Sequence, residues 1–301
     1  MNPIYKAKQV AKSILFKLYD VKSKREFYKK AKEIENDSHL CSLASNKTSP
    51  LIIVSLTSFP VRFCNLHYVI KSILEQSVKV DRICLYLDDT VSKDLLPQNL
   101  KDLESKGLLE ILFRDQDIKP HKKYYFAIKE HPDDIVITVD DDLIYPNNLV
   151  ESLIKTHQEF PTCVVACRGH KILFDEDGVI KPYNDWLWEY PNENEPSMKL
   201  FACGSGGVLY PPHCMKEEWL LRLDLINKLS KNNDDIWLKA VQVKSGTKVV
   251  FTDRSVKEKR VQVYGSQTVS LNSSNVNKCV NDTYIECIMG YFGFDEKNFA
   301  D

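Results

Sequence analysis

Ile135-Val136-Ile137-Thr138-Val139-Asp140-Asp141-Asp142 runs from a short block of branched apolar residues straight into three carboxylates. Such a block predicts a buried β-strand, and the carboxylates then lie in the loop that follows it. Because side chains alternate along a strand, Asp140 and Asp142 point to the same side about 7 Å apart if extended geometry persists that far. At this separation they repel by about 2 kcal/mol for an effective dielectric constant of about 20, which a bound cation would relieve.

Segments of the same kind alternate with helix-length segments on either side of this stretch. Four apolar runs predict strands, at residues 51–56, 83–87, 108–113 and 135–139. Helical spacing of apolar residues recurs between them, at residues 66–74 and 95–103. This alternation predicts an α/β fold, in which helices cover both faces of a mainly parallel sheet.

Ligands bind such sheets outside the carboxyl ends of the strands, so the loops there are the candidate site. The polar residues that follow the first four predicted strands are Thr57 and Arg62, Asp88 and Asp89, Lys122 and Lys123, and Asp140, Asp141 and Asp142. A surface loop is the alternative for Thr57 and Arg62, and a solvated loop is the alternative for the two lysines. No dinucleotide or P-loop glycine pattern is present, so phosphate charge would be met by a cation or by basic side chains.

The aspartate cluster has the chemistry of a divalent metal site. Carboxylate oxygens with water and substrate phosphate in the remaining positions are the usual ligands of Mg²⁺ and Mn²⁺. The metal would neutralise the charge that develops on a departing diphosphate. The alternative is an acidic turn that caps a helix starting near Asn147.

Three segments together resemble a known family. Residues 139–142 (VDDD) look like the D-x-D motif of GT-A fold glycosyltransferases, particularly bacterial enzymes that build surface polysaccharides or lipopolysaccharide. Residues 203–211 (CGSGGVLYP) are similar to the glycine-rich acceptor-side segment of that group, and residues 233–238 (NDDIWL) resemble its acidic motif at a helix start. Order and spacing fit across roughly residues 50–240.

The resemblance implies a GT-A, Rossmann-like sheet, a nucleotide-sugar donor and a glycan or glycolipid acceptor. It implies that Asp140 lies near the ribose or diphosphate and that Asp142, with Asp140, binds Mn²⁺ or Mg²⁺. It places Asp88 or Asp89 at the base or ribose. Basic composition, helical spacing and a polar stretch predict a helical arm and linker at residues 1–49, before a GT-A domain at residues 50–301. That domain divides into a nucleotide-binding half at about residues 50–145, an acceptor half at about residues 146–260 and a C-terminal extension at about residues 261–301.

An inverting sugar transfer needs a general base that accepts the proton of the acceptor hydroxyl. Asp235, with Asp234 beside it, is the candidate, because both lie at a predicted helix N-terminus where the helix dipole stabilises a carboxylate. An ordinary helix cap is the alternative. Gly206 and Gly207 are expected to line the substrate, although a tight turn into a strand would use the same residues.

The first 35 residues carry ten basic and four acidic side chains, and apolar residues recur in them at helical spacing. Two interpretations stay open for this helix, one that lies peripherally on an anionic membrane and one that packs on the core. No apolar run is long enough to span a bilayer, which predicts a cytoplasmic protein, with contact at the inner face of the membrane in the first interpretation.

Several classes of function are disfavoured by the sequence. A net charge of −1 gives no field that favours nucleic acid, and nine scattered cysteines suggest neither a zinc site nor a disulfide framework. Two alternatives to sugar transfer remain, a sugar-phosphate nucleotidyltransferase and a non-catalytic carbohydrate-binding protein. The donor sugar, the acceptor and the oligomeric state are left open.

Overall fold

The structure is a computed structural model that describes residues 3–36, 41–46, 48–191, 194–266 and 280–301, with side chains from residue 20 onward. Its strands are β1 (Ile52–Thr57), β2 (Arg82–Asp88), β3 (Glu110–Arg114), β4 (Ile135–Thr138), β5 (Leu143–Ile144), β6 (Val164–Ala166), β7 (Gly169–Lys171), β8 (Leu200–Ala202), β9 (Val208–Tyr210), β10 (Val249–Phe251) and β11 (Val261–Gln262). Its α-helices are α1 (Pro3–Asn36), α2 (Phe63–Leu74), α3 (Gln98–Ser105), α4 (Lys122–Glu130), α5 (Leu149–Glu159), α6 (Glu217–Leu220), α7 (Leu223–Leu229), α8 (Asp234–Ser245), α9 (Ser255–Glu258) and α10 (Val280–Phe292).

Seven strands form the central sheet in the order β10-β6-β9-β4-β1-β2-β3. Strands β1 to β4 pair in parallel, as do β6 and β10, while β9 runs antiparallel between β4 and β6. The prediction of a mainly parallel α/β sheet is therefore confirmed. Two small antiparallel pairs, β5 with β11 and β7 with β8, lie beside this sheet.

The apolar character of the strands follows from burial on both faces. In β1, Val54 and Leu56 pack into the core on one face, together with residues of α2. Ile53 points to the other face and packs with residues of α4. A strand that is covered by helices on both sides needs apolar residues at successive positions, which explains the uninterrupted run in the sequence.

The chain leaves the sheet just before the aspartate cluster. Strand β4 ends at Thr138, the Val139 amide still donates to the Ser55 carbonyl (3.0 Å), and the chain then turns at Asp141 and Asp142 into β5. Extended geometry therefore does not reach Asp142, and the separation of about 7 Å derived from it does not apply. The next helix, α5, begins at Leu149, two residues later than expected.

The predicted N-terminal helix is present as α1. Phe27, Ala31 and Ile34 of its second half are buried, and the Phe27 ring makes an edge contact with Tyr68 of α2 (5.6 Å between centroids). This half packs on the core, as the second interpretation proposed. Its first half, which carries the apolar residues from Ile4 to Leu18, lies outside the described side chains, so its contact with a membrane stays a prediction. None of the helices in the described ranges has both the length and the apolarity needed to cross a bilayer.

Replacing Phe27 by Ala should lower the free energy of unfolding by about 3 kcal/mol or more, because it leaves a cavity under α1. Val21→Ala is the matched control on the same helix, since Val21 is 65% exposed. Chemical denaturation of both variants measures the difference. Equal stabilities would show that α1 does not pack as described.

Candidate active site

The site lies where the parallel strands of the sheet end. Because β1, β2 and β4 run in the same direction, their carboxyl ends bring Ser58, Asp88 and Asp140 to one edge. The first turn of α4 lies at this edge, and so does the start of α8, which meets it through Lys123. Residues from five separate parts of the chain therefore converge where the sequence predicted a ligand site.

Lys123 is the central group of this edge. Its side chain is 8% exposed, and its Nζ lies 2.8 Å from Asp140 Oδ1 and 3.1 Å from Asp234 Oδ2. Burial alone would lower the pKa of Lys123, but the carboxylates of Asp140, Asp234 and Asp235 hold that pKa well above its ordinary value. The lysine is therefore a buried cation, and the expectation of a solvated loop at this position is wrong, because the segment forms the first turn of α4.

Asp235 lies in the first turn of α8, which confirms the predicted helix start. Asn233 caps the helix, since its side chain accepts a hydrogen bond from the Ile236 amide (3.0 Å). Both carboxylate oxygens of Asp235 accept from the Gly204 amide, at 3.1 and 3.2 Å. Burial raises the pKa of Asp235 to about 7, and the charge of Asp234 adds to this shift.

The neighbouring Asp234 titrates in the opposite direction. Burial works to raise its pKa, but the charge of Lys123 outweighs burial and holds the pKa of Asp234 below its ordinary value. Adjacent carboxylates with opposite shifts are the arrangement expected when one stays ionised in an ion pair and the other exchanges a proton near neutral pH. Asp235 is therefore the group suited to proton transfer, and Asp234 positions Lys123.

Gly204, rather than Gly206 or Gly207, faces this cluster. A Cβ on Gly204 would lie 2.9 Å from Asp235 Oδ1 and 3.0 Å from Lys123 Nζ, so a larger residue there would displace these two side chains. Gly206 packs against Arg168, where a Cβ would meet the side chain at 2.7 Å, and Gly207 has φ +92° and faces Leu149. Those two glycines shape the turn into β9, so the alternative role of a strand-entry turn describes them.

The three successive aspartates have different surroundings. Asp141 points inward, where its carboxylate accepts from the Ser58 hydroxyl (2.5 Å) and pairs with Arg62. Arg62 Nη2 also lies 3.2 Å from Asp142 Oδ2. Burial raises the pKa of Asp142 to about 7, with the charge of Asp140 as the next cause. Asp140 and Asp142 therefore form a pair whose negative charge Arg62 and Lys123 relieve only in part.

Within the described ranges, no three His, Cys, Asp or Glu side chains converge into a ready metal cluster. The two oxygen ligands that the sequence predicted are nevertheless chemically suited to Mg²⁺ or Mn²⁺, since both ions complete their coordination with water and phosphate. Besides burial, the charge of Asp140 raises the pKa of Asp142, and a cation between the two carboxylates would offset that repulsion. The carboxylates of Asp140 and Asp142 are therefore suitable ligands for a divalent ion.

On the nucleotide side, Asp88 is held in place by two partners. It accepts from the Thr90 hydroxyl and lies 2.9 Å from Lys122 Nζ, which also contacts Asp117 at 2.6 Å. Lys122 is thus neutralised by two carboxylates before any diphosphate binds. The Thr57 hydroxyl donates to the Tyr86 carbonyl (2.8 Å) and ties β1 to β2, whereas Asp89 is exposed.

Several residues of this edge were not singled out from the sequence. Tyr145, whose hydroxyl accepts from the Asp140 amide (2.9 Å), and Asp117 are two of them, and Ser58 is the third. The position of Ser58 directly after a strand was a usable signal. Tyr145 and Asp117 follow no motif, because their roles depend on contacts between segments that are distant in sequence.

Four aromatic residues precede the glycine turn in the chain, and some are buried while others are partly exposed: Tyr183, Trp186, Trp188 and Tyr190. Trp186 is buried, whereas Trp188 is 42% exposed and stacks on the buried His170 ring, with centroids 4.6 Å apart. Tyr183 contacts both tryptophans. In this described segment, Trp188 and the half-buried Tyr190 therefore present aromatic surface to solvent.

A family model described as "Glycosyl transferase family 2" matches residues 59–210, which is 152 of the 301 residues. The chain belongs to glycosyl transferase family 2. The match includes the aspartate cluster, Lys123 and the glycine turn, so most of the site lies inside the family region, while α8 with Asp235 follows it. The resemblance to GT-A glycosyltransferases found in the sequence is thereby confirmed.

Solved structures similar to this family 2 chain include GalNAc-T7 with UDP, GalNAc and Mn²⁺ (TM-score 0.45, 12% identity, 67% of this chain and 41% of the other). They also include residues 1–349 of S. aureus TarS (TM-score 0.41, 12% identity, 66% and 57%) and CMP:2-keto-3-deoxy-manno-octonic acid synthetase complexed with CTP (TM-score 0.39, 11% identity, 67% and 88%). The chain thus matches less than half the length of GalNAc-T7 and little more than half of the TarS chain. No match was found among curated proteins.

Asp235→Asn should stabilise this glycosyl transferase family 2 protein at pH 8. The pKa of an unfolded aspartate is about 3.9, whereas the pKa of the folded Asp235 carboxyl is about 7. Between these values the folded state holds a proton that the unfolded state has lost, so the free energy of unfolding falls as pH rises. The variant removes that loss and should gain about 4 kcal/mol at pH 8, with little gain at pH 4. Denaturation at both pH values measures this, with exposed Asp94→Asn as the control. A variant that is less stable than the parent at pH 8 would contradict the raised pKa.

Proposed function

We propose that this protein transfers a sugar from a nucleotide-diphosphate sugar to a hydroxyl of a glycan or glycolipid acceptor, with Asp235 as the general base. The proposal rests on the position of Asp235. Its neighbour Asp234 pairs with Lys123, which also pairs with Asp140 at the edge where the donor is expected. A carboxyl with a pKa of about 7 therefore lies beside that edge. Membership of glycosyl transferase family 2 supports the same reaction class.

The chemistry assigned to Asp235 follows from its surroundings. A base with a pKa near the working pH balances the fraction in the basic form against the strength of proton transfer. The Gly204 amide orients the carboxylate, and the ion pair of Lys123 with Asp234 keeps the neighbouring charge fixed. Asp235 therefore accepts the proton of the acceptor hydroxyl as that oxygen attacks the anomeric carbon, and direct attack inverts its configuration.

Asp140 and Asp142 would hold Mn²⁺ or Mg²⁺, which when bound supplies neutralisation of the departing diphosphate. On the protein side, Arg62 orients the turn by pairing with Asp141 and Asp142. Lys123 holds Asp140 at the edge. Asp88 lies at the end of β2, where the base or ribose of the donor is expected, and Asp89 is exposed beside it.

The sequence resemblance to enzymes of surface polysaccharide and lipopolysaccharide synthesis suggests the biological setting. The basic first 35 residues, with an excess of six positive charges, are suited to the anionic lipid of a membrane surface. We therefore place the protein in the cytoplasm with peripheral membrane contact. Liposome sedimentation of the intact chain against a variant without this charge excess tests that placement.

Screening sugar nucleotides with Mn²⁺ or Mg²⁺ should reveal release of a nucleoside diphosphate. Asp235→Asn should lower kcat/KM by about 10² to 10⁴-fold, the usual contribution of a general base. The parent rate should rise with pH and level off above about pH 7, as the Asp235 carboxyl loses its proton. Release of pyrophosphate would indicate a nucleotidyltransferase, and no turnover with any donor would indicate a binding protein. Activity that persists in chelator would remove the metal from the mechanism.

Gly204→Ala should lower kcat by about a hundredfold while the protein stays folded, because a displacement of about 1 Å in a catalytic group has an effect of that size. The added methyl group would push Asp235 and Lys123 away from the turn. Gly290→Ala is the matched control, since a Cβ on this exposed residue of α10 meets no described atom within 4 Å. If the two variants turn over donor at the same rate, the Gly204 contact does not position the base.

A further inference from the structure

Three cations gather around the turn that carries Gly204. They are Arg168, Lys257 and Arg260, here named the basic cluster. Arg168 and Arg260 donate to Ser205, and Arg168 and Lys257 share Glu189 as a carboxylate partner. We propose that the basic cluster binds a phosphate ester group on the acceptor. The inference rests on the proposed function, because it names the chemical class of the acceptor for the same site.

Arg260 is the first reason for this assignment. Its Nη1 donates to the Ser205 carbonyl and its Nε to the Lys257 carbonyl (3.1 Å). In the part of the chain that the structure describes, no carboxylate pairs with this half-buried guanidinium. Burial lowers the pKa of Arg260 from its ordinary value, so the charge is held where solvent compensates it poorly. A bound anion would supply the missing compensation.

Arg168 is the second reason. Its Nη1 donates to the Ser205 hydroxyl (2.6 Å) and its Nη2 pairs with Glu189, but its buried Nε has no hydrogen-bond partner among the described residues. A buried donor without a partner is uncommon and costly in native proteins. An oxygen-rich ligand would satisfy this donor.

The charge balance of the basic cluster is positive even with its internal ion pairs. Glu189 pairs with both Arg168 and Lys257, so one carboxylate faces three cations. A shallow pocket opens between Arg168, Lys257 and Arg254, and Arg254 is itself close to Glu258 (3.4 Å) at the exposed rim. The excess of two charges equals the charge of a phosphate monoester near neutral pH.

The position of the basic cluster favours the acceptor over the donor. Cys167 and Thr252, which line its pocket, follow β6 and β10, on the opposite side of β4 from β1, β2 and β3. The donor nucleotide is expected on the side of β1 to β3, where Lys122 is already neutralised by two carboxylates. Ser205 adjoins Gly204, which holds the proposed base, so an anion at the basic cluster would lie beside the attacking hydroxyl.

Calorimetric titration of the intact protein with glucose 6-phosphate and with glucose tests the inference without any turnover. We expect saturable binding of the phosphate ester alone, and a loss of at least about tenfold in affinity for Arg260→Gln and Lys257→Gln. Arg260→Lys, which keeps the charge, should retain most of the affinity. Lys106→Gln, the same charge change at an exposed residue beyond α3, should leave it unchanged.

Two results would overturn the inference. The first is equal binding of glucose and glucose 6-phosphate, or affinity for the ester that Arg260→Gln leaves intact. The second is competitive displacement of glucose 6-phosphate by a nucleoside diphosphate with Mn²⁺, which would assign the basic cluster to the donor. Release of nucleoside diphosphate by the parent protein, measured separately, shows whether the proposed function holds in either case.

Discussion

The ammonium group of Lys123 lies between two carboxylates from distant parts of the chain, Asp140 after β4 and Asp234 at the start of α8. A buried charge is tolerated only when it is paired, and losing one partner of such a set commonly costs about 3 to 5 kcal/mol. The position of α8 relative to the sheet therefore depends on this triad. So does the position of Asp235, which is the next residue of the same helix.

The triad also explains why two neighbouring aspartates differ. Lys123 contacts Asp234 directly and keeps it ionised. Asp235 instead accepts from the Gly204 amide, and burial together with the negative charges of Asp234 and Asp140 raises its pKa. A single lysine can thus separate the pKa values of adjacent carboxyls. The aspartate cluster differs, because burial raises the pKa of Asp141 even though Arg62 pairs with it, and burial also raises the pKa of Asp142, from which Arg62 lies farther.

Positive charge is distributed unevenly along the edge of the sheet. On the side of β1 to β3, Lys122 is matched by Asp88 and Asp117. On the side of β6 and β10, Arg260 has no carboxylate partner within the described residues. Since an unpaired, half-buried charge is unfavourable in the free protein, the second side is the one prepared for an anionic ligand.

The sequence by itself determined the strands at residues 52–57, 82–88, 110–114 and 135–138, the helices α2 and α3 and the edge that carries the polar loops, but not α4. These features depend on local periodicity, and Asp140, Asp142 and Asp235 could be named because each adjoins such an element. Only the tertiary structure decided that Lys123 is buried, that Gly204 rather than Gly206 or Gly207 faces Asp235, and that Arg260 contacts the Ser205 carbonyl. Those outcomes depend on burial and on contacts between residues 17 to 111 positions apart, such as Lys123 with Asp140 and with Asp234, and no local pattern encodes them.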